Sequence, residues 1–340
     1  MGLVASLFCT LLITVLFILA LRPIAMAVGL VDTPGGRKTH EKSTPIVGGI
    51  AMYLGLLFGG ISLGILPSIS WLLLGSSLLI VIGVIDDRFN LSPTVRLIAQ
   101  TWVALMMIFL VNLQITSLGS PLFFDWALGV FSVPFTILIT LTMINAFNVL
   151  DGIDGLAGGV TFIVLGFMAF LSIDSIDSIT LNLTLLLMAT IFGFLLCNIP
   201  SNINRKAKCF MGDAGSTFLG FAIIWLGISL SQGESPSMSP VTGLWLVAIP
   251  IFDFTVSVLR RILSGKSPFA PDRNHLHYIL LDTGLSTRKT LLLILTMVFV
   301  TASIGLIGQI FSVPDSTMFL LWLALGAVYY RSTYRVLGHS

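Results

Sequence analysis

Long apolar stretches with almost no charge constrain this sequence more than any other feature. Eleven such stretches lie at residues 3–28, 46–66, 69–85, 95–113, 127–147, 158–174, 179–199, 214–231, 240–260, 290–310 and 316–333. A helix that crosses the hydrocarbon core of a bilayer needs about 17–25 predominantly apolar residues. Only 9% of the 340 residues are charged, against about 25% in an ordinary soluble domain. The sequence therefore predicts an all-α, polytopic integral membrane protein, a single domain over residues 1–340 with 11 transmembrane helices, or 10 because several stretches are short or interrupted.

The basic residues indicate which face of this protein is cytoplasmic. All 17 Lys and Arg residues fall in or beside alternate loops, and the other loops have none. Since short cytoplasmic loops carry the excess of Lys and Arg, we expect the basic loops in the cytoplasm, the N-terminus outside and the C-terminus inside. All four histidines and ten of the 15 acidic residues share that face. We therefore expect a functional site on the cytoplasmic loops, within residues 29–45, 86–96, 145–159, 200–216 and 260–280.

Two pairs of aspartates follow apolar stretches on this face. Asp86 and Asp87 stand together in "IDDRFNLSPTVR", and Asp151 and Asp154 lie three residues apart in "NVLDGIDGLAGG". Adjacent carboxylates repel each other and favour a cation, either a divalent metal or a basic side chain. A solvated helix end is the alternative interpretation of the first pair, and a plain turn that of the second. Both pairs are therefore candidates for a cation or ligand site.

A third polar segment, "RKAKCFMGDAGS", places basic residues before a glycine-rich entry into the apolar stretch 214–231. Backbone N–H groups at a helix N-terminus can bind phosphate oxygens, and an acid there, Asp213, can instead hold a magnesium ion that bridges phosphates. The segment is not a Walker P-loop, because no Gly-Lys-Ser/Thr follows its glycines. The basic residues alone are also what an ordinary positive-inside anchor would contain.

The longest cytoplasmic loop reads "RRILSGKSPFAPDRNHLHYIL", residues 260–280. Its Arg273, His275 and His277 favour an anionic, phosphorylated substrate. Zinc is not expected, because no third protein ligand accompanies the two histidines. A smaller basic segment, "GGRKTHEKSTPIVGG", contains Lys38 and His40. Asp253, within stretch 240–260, is either a functional acid or the partner of a neighbouring helix or loop arginine.

Together these segments indicate phosphoryl transfer from a nucleotide-linked donor in the cytoplasm to an acceptor in the bilayer. Such a reaction depends on positioning and on neutralising charge, for which acids that hold a metal ion and basic groups that hold phosphates are suited. A transporter of an anionic solute is the alternative, but it is expected to place charges near the membrane centre and to open to both sides. The clustering of charge at one face favours the enzyme.

The same segments, in order, resemble the signatures of the polyprenyl-phosphate N-acetylhexosamine-1-phosphate transferase family, glycosyltransferase family 4. The matching stretches are "GLVDTPGGRKTHEKSTPIVGG", "DDRFNLSPTVRLIAQ", "NAFNVLDGIDGLAGG", "FMGDAGS" and "PDRNHLHY". They extend from residue 29 to about residue 280. Within the family the last motif is most similar to the bacterial undecaprenyl-phosphate N-acetylglucosaminyl 1-phosphate transferases.

The resemblance implies transfer of GlcNAc-1-phosphate from UDP-GlcNAc to undecaprenyl phosphate, with release of UMP. It also implies a need for Mg²⁺, for which Mn²⁺ could substitute, and a place in the bacterial inner membrane at the first step of O-antigen or another cell-envelope polysaccharide. Another UDP-N-acetylhexosamine or UDP-MurNAc-pentapeptide is the alternative donor. The peptidoglycan branch usually has three consecutive histidines in this loop, which the chain lacks. Tyr278 stands where near relatives more often have a histidine, which widens the choice of sugar.

Roles for individual residues follow from the resemblance alone. Asp213 is implied as a magnesium ligand, with Asn148 as the candidate second ligand. Asp86 and Asp87 are implied in metal binding or in activating the acceptor phosphate, and Asp151 and Asp154 in binding the nucleotide and in catalysis. The implied substrate-binding residues are Lys38, His40, Arg96, Phe210, Arg273, His275 and His277.

Two mechanisms remain open at this stage. In one, an aspartate, for which Asp86 is the usual candidate, deprotonates the lipid phosphate, which then attacks the β-phosphorus directly. In the other, an aspartate attacks first and forms a covalent phospho-sugar intermediate. Direct attack is favoured because the acceptor is already an anionic phosphate. The expected partners are the UDP-sugar, the polyprenyl phosphate and the bilayer, with no nucleic acid, and the sequence leaves open whether the chain forms a homo-oligomer.

Overall fold

In the computed structural model, residues 2–32, 43–173, 178–200, 207–268 and 273–337 are described, with side chains up to residue 334. Lys38 and His40 lie outside the described residues. The helices in the described part are α1 (Leu3–Val28), α2 (Gly48–Leu63), α3 (Leu66–Phe89), α4 (Pro93–Val111), α5 (Ser132–Leu150), α6 (Leu156–Leu171), α7 (Ser178–Asn198), α8 (Gly212–Ser231), α9 (Pro240–Leu246), α10 (Ala248–Leu263), α11 (Leu276–Asp282), α12 (Thr287–Ile310) and α13 (Asp315–Leu337). Two short antiparallel strands, β1 (Val31–Asp32) and β2 (Thr44–Pro45), pair beside α2.

The all-α, polytopic class predicted from the sequence is confirmed. A helix, or a pair of helices, occupies each of the eleven predicted stretches. Within the described residues, seven helices are long and apolar enough to cross a membrane, or eight if the bent pair α9 and α10 counts as one span. The apolar helices α2 and α6 are shorter, with 16 residues each. The count of 11 spans and the sides of the two termini therefore remain predictions.

Helix α1 has the polarity that a membrane helix requires. The face turned into the protein carries Ser6, Thr10 and Thr14, whereas the exposed face carries large apolar residues such as Phe8 and Leu16. In water this arrangement would be reversed, since the apolar stripe of a soluble helix faces the core. The threonines lie against glycines of α2, where lack of a side chain lets the two helices approach closely. Small and hydroxylated residues at helix contacts are typical of membrane bundles.

Helix α8 lies at the centre of the bundle and is buried along nearly its whole length. Its neighbours come close because a glycine lies on one side of each contact. A side chain at Gly83 of α3 would lie 2.3 Å from the Cα atom of Ala214, and one at Gly220 of α8 would lie 2.7 Å from the Cα atom of Ile144 on α5. These contacts fix α3 and α5 against the start and the middle of α8. They therefore set the distance between the polar segments at the ends of the three helices.

The predicted span 240–260 is divided in the structure. Helix α9 (Pro240–Leu246) is capped by Ser239, whose side chain accepts a hydrogen bond from the N–H of Thr242. The axis of α10 turns by 79° from that of α9. Pro250 explains the break, because proline has no N–H to donate to the carbonyl of Leu246 and its ring is incompatible with a continuous helix there. The turn brings Asp253 of α10 towards α11 and α13.

The close approach of α3 and α8 gives a testable prediction. Replacing Gly83 by Ala would put a methyl group against the α8 backbone and should lower the free energy of unfolding by about 1–3 kcal/mol. The matched control is Gly166→Ala in α6, where the nearest atom would be 3.9 Å away and the change should stay within about 0.5 kcal/mol. Thermal unfolding of both variants in detergent measures the difference, and equal unfolding temperatures would contradict this packing.

Candidate active site

Three acidic or amide side chains that are far apart in the sequence meet at the start of α8. Asp87, at the end of α3, accepts hydrogen bonds from the backbone N–H groups of Asp213 (3.0 Å) and Ala214 (3.5 Å). Asn148, in the last turn of α5, donates to Oδ1 of Asp213 (2.7 Å) and to Oγ of Ser216 (3.0 Å). Since α3, α5 and α8 are held together by their small residues, these contacts place Asp87, Asn148 and Asp213 in one cluster.

Arg96 joins this cluster from the start of α4. Its Nη1 atom donates to Oδ2 of Asp86 at 3.1 Å and lies 3.8 Å from Oδ2 of Asp213. The second oxygen of Asp86 accepts a hydrogen bond from the N–H of Leu91 at 2.7 Å. The side chain of Asp86 is therefore fully engaged and only 5% exposed, whereas that of Arg96 is 36% exposed. Arg96 thus presents positive charge at an otherwise acidic site.

The turn between α5 and α6 contains Asp151 and Asp154 and is anchored by an asparagine. Gly155 has a φ of 83°, which favours glycine,, and its N–H donates to Oδ1 of Asn198 at 2.6 Å. The buried amide of Asn198 also donates to the carbonyl of Cys209 at 3.0 Å. One side chain therefore connects the aspartate turn to the segment that enters α8.

Phe210 lies in that entry segment, and its backbone connects it to the start of α2. Its N–H donates to the carbonyl of Pro45 and its carbonyl accepts from the N–H of Gly48, both at 2.9 Å. These two bonds form a short parallel bridge with Ile46. The residues that follow the predicted 29–45 motif are thus part of the same site as the start of α8.

The crowding of carboxylates is visible in the pKa of Asp151, which is raised to about 8. Burial is the largest cause, followed by the negative charges of Asp213 and Asp87. The charge of Asp154 adds to the shift, and a hydrogen bond from the backbone N–H of Gly212 opposes it. A cation near these groups would relieve the repulsion and favour the ionised form of Asp151.

The donor atoms of the cluster suit magnesium, although the described residues alone do not enclose an ion. Carboxylate and amide oxygens are the ligands that Mg²⁺ prefers, and the ion is usually held by one or two carboxylates together with phosphate oxygens and water. Among the described residues, no group of three His, Cys, Asp or Glu side chains could hold a metal ion. The carboxylate of Asp213 and the amide of Asn148 fit the smaller contribution that such a site needs.

The loop that contains the two histidines packs against the aspartate turn. His277 is 1% exposed, and a side chain at Gly152 would lie 2.0 Å from its Nε2 atom. Among the described residues, neither ring nitrogen of His277 has a hydrogen-bond partner. Burial is the main reason that the pKa of His277 is lowered to about 4, and the charges of His275 and Arg273 lower it further while Asp253 acts in the opposite direction. The imidazole is therefore neutral at pH 7.

His275 and Arg273 have different surroundings. Nδ1 of His275 lies 3.3 Å from Oδ2 of Asp253, and the imidazole is 7% exposed. The guanidinium of the exposed Arg273 lies 4.9 Å from the centre of the Tyr278 ring, which in turn lies 4.1 Å from the ring of His277. Tyr278 thus forms the surface on which Arg273 rests, a contact that a cation–π attraction stabilises,.

The structure therefore brings most of the predicted site residues together. One cluster contains Asp86, Asp87, Arg96, Asn148, Asp151 and Asp213, and the histidine loop adjoins it through His277 and Gly152. Asp154 and Phe210 lie in the two segments that Asn198 connects. Lys38 and His40 lie outside the described residues. The individual roles implied by the resemblance remain predictions.

Sequence reasoning missed several polar residues that hold this arrangement. Asn145 of α5 donates to Oε1 of Gln100 on α4 at 2.7 Å, and the two amides line a small pocket with Asp86, Arg96, Asn148 and Asp213. Asn198 and Tyr329 were also missed. Each is a single polar side chain within or at the end of an apolar stretch, so the only available signal was that membrane helices seldom retain such residues without a partner.

Sequence comparison with known proteins identifies relatives of this chain. A model described as "Glycosyl transferase family 4" matches residues 69–231. A protein of Salmonella typhi is 36% identical over 92% of this chain and 86% of its own length. One of Escherichia coli O157:H7 is 38% identical over 94% of this chain and 87% of its own, and one of Haemophilus influenzae 37% identical over 96% and 93%. All three are named undecaprenyl-phosphate alpha-N-acetylglucosaminyl 1-phosphate transferase.

The buried His277 predicts a loss of stability in acid. Its pKa of about 4 in the folded chain lies below the value of about 6.5 for an unperturbed histidine. The folded state therefore has its full stability above pH 6.5 and loses it as the pH falls towards 4, by about 2 kcal/mol between pH 7 and pH 5. The unfolding temperature of the wild type in detergent should fall more steeply over this range than that of His277→Gln. Parallel pH dependences would contradict the buried, neutral state of His277.

Proposed function

We propose that this chain, which belongs to glycosyl transferase family 4, transfers GlcNAc-1-phosphate from UDP-GlcNAc to undecaprenyl phosphate. The products are undecaprenyl-diphospho-GlcNAc and UMP. An oxygen of the lipid phosphate forms a bond to the β-phosphorus of the donor, and the bond from that phosphorus to the bridging oxygen of UMP breaks. Three relatives that match over nearly the whole chain carry this activity in their names.

The observation that carries the proposal is the convergence of Asp87, Asn148 and Asp213 at the start of α8, beside Arg96. A transferring phosphoryl group spreads negative charge over its oxygens, so the site must supply cations and donors at fixed positions. Arg96 supplies one fixed positive charge. The carboxylates supply the means to hold a second cation close to the donor diphosphate.

Asp213, with Asn148, would hold Mg²⁺, and Mn²⁺ could take its place. When bound, such an ion neutralises charge on the diphosphate and makes UMP a better leaving group. Asp87 supports this role by fixing the backbone of Asp213 through its N–H, and Asn148 fixes the carboxylate itself. The remaining acids of the aspartate turn, Asp151 and Asp154, suit hydrogen bonds to the uridine.

The basic and aromatic residues around the acids suit the rest of the substrates. Arg96 lies where it can bind a phosphate, and Arg273 presents its guanidinium at the surface of the histidine loop. Phe210 lies beside the start of α8, and a ring in that position suits stacking on uracil,. His277 lies against the aspartate turn, and the ring of His275 stacks behind it. Lys38 and His40 are proposed for the same diphosphate on the resemblance of their motif alone.

An apolar cavity supports a polyprenyl acceptor. Its volume is about 370 Å³, and it lies between α5, α8, α9 and α13. The residues that line it are almost all apolar and include Met143, Ile223 and Ile251. Hydrocarbon tails partition into such a space because apolar contacts replace exposure to water. The cavity runs along the C-terminal half of α8 and the polar cluster lies at the N-terminus of the same helix, so a polyprenyl chain in the cavity would have to extend along α8 to place its phosphate at the cluster.

The surroundings of the paired acids favour direct attack by the lipid phosphate. Both oxygens of Asp86 accept hydrogen bonds, from Leu91 and Arg96, and both oxygens of Asp87 face the N–H groups that begin α8. A carboxylate with both oxygens engaged is a poor nucleophile. The acceptor phosphate is itself an anionic nucleophile, so positioning it next to the donor is sufficient for the reaction.

The positive-inside distribution of Lys and Arg supports a multi-pass protein of the bacterial inner membrane with this site on the cytoplasmic side. The donor is a cytoplasmic nucleotide sugar and the acceptor a membrane lipid, which fits that location. The product is the lipid-linked first sugar of a cell-envelope polysaccharide. We propose O-antigen or a related lipopolysaccharide chain as the polymer that it initiates.

A donor labelled in the β-phosphate tests the reaction. The purified protein, with undecaprenyl phosphate and Mg²⁺ in detergent, should move both the sugar and the β-phosphate label of UDP-GlcNAc into the lipid fraction and release UMP. UDP-GalNAc and UDP-MurNAc-pentapeptide are tested as alternative donors, each in a separate reaction. Release of UDP instead of UMP would contradict phosphoryl transfer, and the absence of product from all three donors would favour a transporter.

Asp213→Asn tests the proposed ion site. The amide keeps the shape of the side chain but removes its negative charge, so transfer should fall by about 10²–10³-fold. Chelation of Mg²⁺ should abolish wild-type activity, and added Mg²⁺ or Mn²⁺ should restore it. The matched control is Asp282→Asn, which removes an exposed carboxylate at the end of α11 and should leave activity within about twofold. Near-normal transfer by Asp213→Asn would contradict this assignment.

A further inference from the structure

Asp253 is a buried acid whose partners come from two distant parts of the chain, the histidine loop and α13. It lies on α10 and is 3% exposed. Its Oδ1 atom accepts hydrogen bonds from the hydroxyl of Tyr329 on α13 at 2.9 Å and from the N–H of Leu276 at 2.8 Å. Its Oδ2 atom accepts no hydrogen bond from the described residues but lies at an ion-pair distance, 3.3 Å, from Nδ1 of His275. An acid buried in a membrane protein is costly unless it is paired, and these contacts are the compensation.

The contacts determine how His275 presents its ring. A carboxylate next to Nδ1 favours the tautomer with the proton on that atom, and the hydroxyl of Ser257 also lies 3.2 Å from Nδ1. In that tautomer the lone pair of Nε2 can accept a hydrogen bond from Nη2 of Arg261, which lies 3.4 Å away. The ring of His275 is also nearly parallel to that of His277, with centres 6.2 Å apart. The charge of Asp253 thus favours one tautomer of His275, and the hydrogen bond from the N–H of Leu276 to Asp253 fixes the backbone next to that ring, while Nδ1 itself hydrogen-bonds to the hydroxyl of Ser257.

The hydroxyl of Tyr329 extends this chain of contacts to the C-terminal helix. Tyr329 is 7% exposed and packs against Phe252 as well as bonding to Asp253. Two turns further along α10, the guanidinium of Arg260 contacts the hydroxyl of Thr333, which lies on α13 like Tyr329. Two adjacent polar contacts therefore connect α10 to α13. The ring of His275 stacks on that of His277, which lies against Gly152 of the aspartate turn, so we expect any effect of Asp253 or Tyr329 on the reaction to pass through His275.

We propose that Asp253 and Tyr329 are positioning residues for the transfer reaction, which fix His275 in one tautomer and orientation and so make the C-terminal helix α13 part of the active site. This inference rests on the proposed function, since it assigns His275 to the substrate site. It goes beyond that function because neither residue belongs to a motif that carries the resemblance. Asp253 lies between two of these motifs, and Tyr329 lies after the last of them.

The first test removes a single hydroxyl. Tyr329→Phe deletes the hydrogen bond to Asp253 and should lower kcat/KM about five- to tenfold, the factor that one lost hydrogen bond represents. We expect the effect mainly in kcat, because the imidazole of His275 would stay at the site but lose its exact orientation. Tyr330→Phe, the same change at the next residue, is the matched control and should stay within about twofold. Equal activities of the two variants would overturn the proposal.

The second test separates positioning from a purely structural role. Asp253→Asn is measured in the wild-type background and in the His275→Gln background. If Asp253 acts through His275, Asp253→Asn should lower kcat/KM about tenfold or more in the wild-type background. In the His275→Gln background it should lower kcat/KM less than about twofold, because the effects of coupled residues are not additive. An equal loss in both backgrounds would show that Asp253 supports the fold generally and would overturn the proposal.

A measurement without substrates keeps the two proposals distinguishable. In protein labelled with ¹⁵N-histidine, the signal that disappears in His275→Gln belongs to His275 and should show a proton on Nδ1. Asp253→Asn and Tyr329→Phe should shift that signal, whereas Tyr330→Phe should not. An unmoved signal in an active enzyme would overturn the positioning role and leave the proposed function intact. A wild type without transferase activity would contradict the proposed function, while the shifts would still decide the positioning of His275.

Discussion

The hydrogen bonds from the start of α8 to the carboxylate of Asp87 are the interaction on which the rest of the site depends. The first N–H groups of a helix have no partner within the helix, and inside a protein surrounded by lipid they cannot be left to water. Asp87 accepts from two of them and so fixes the backbone that carries Asp213. The same arrangement gathers negative charge at one point, because Asp151 and Asp213 approach the carboxylate that holds the helix. A single structural requirement of a buried helix thus produces an acidic centre that attracts a cation.

Small residues make this centre precise in position. The glycines of α3 and α8 allow backbone contacts that larger side chains would prevent, and the helices that carry Asp86, Asn148 and Asp213 are therefore fixed relative to each other before any ligand binds. Fixed dipoles and charges stabilise a transition state more effectively than groups that must reorganise. The fold and the proposed chemistry are connected in this way: close packing in the membrane provides the rigidity that phosphoryl transfer requires.

Much of this arrangement could be predicted from the sequence, and the reasons are physical. Apolar stretches of bilayer length are a strong signal, and each corresponds to a helix or a pair of helices. Charged residues in such a chain are rare, so those at Asp86, Asp87, Asp151 and Asp213 stood out and the structure gathers them. The break between α9 and α10 was not predicted, although Pro250 was visible. The partnerships of Asn198 with the aspartate turn and of Tyr329 with Asp253 could not be predicted, because a lone polar residue in an apolar helix does not indicate which distant segment it will contact.

The contact between His277 and Gly152 has a consequence for how this site can vary. The imidazole occupies the space that a side chain at position 152 would need, so the two positions share one volume across two loops that are more than one hundred residues apart. A residue larger than glycine at position 152 requires one smaller than histidine at position 277. We therefore expect substitutions at Gly152 and His277 to be coupled in evolution, because each residue limits the volume available to the other.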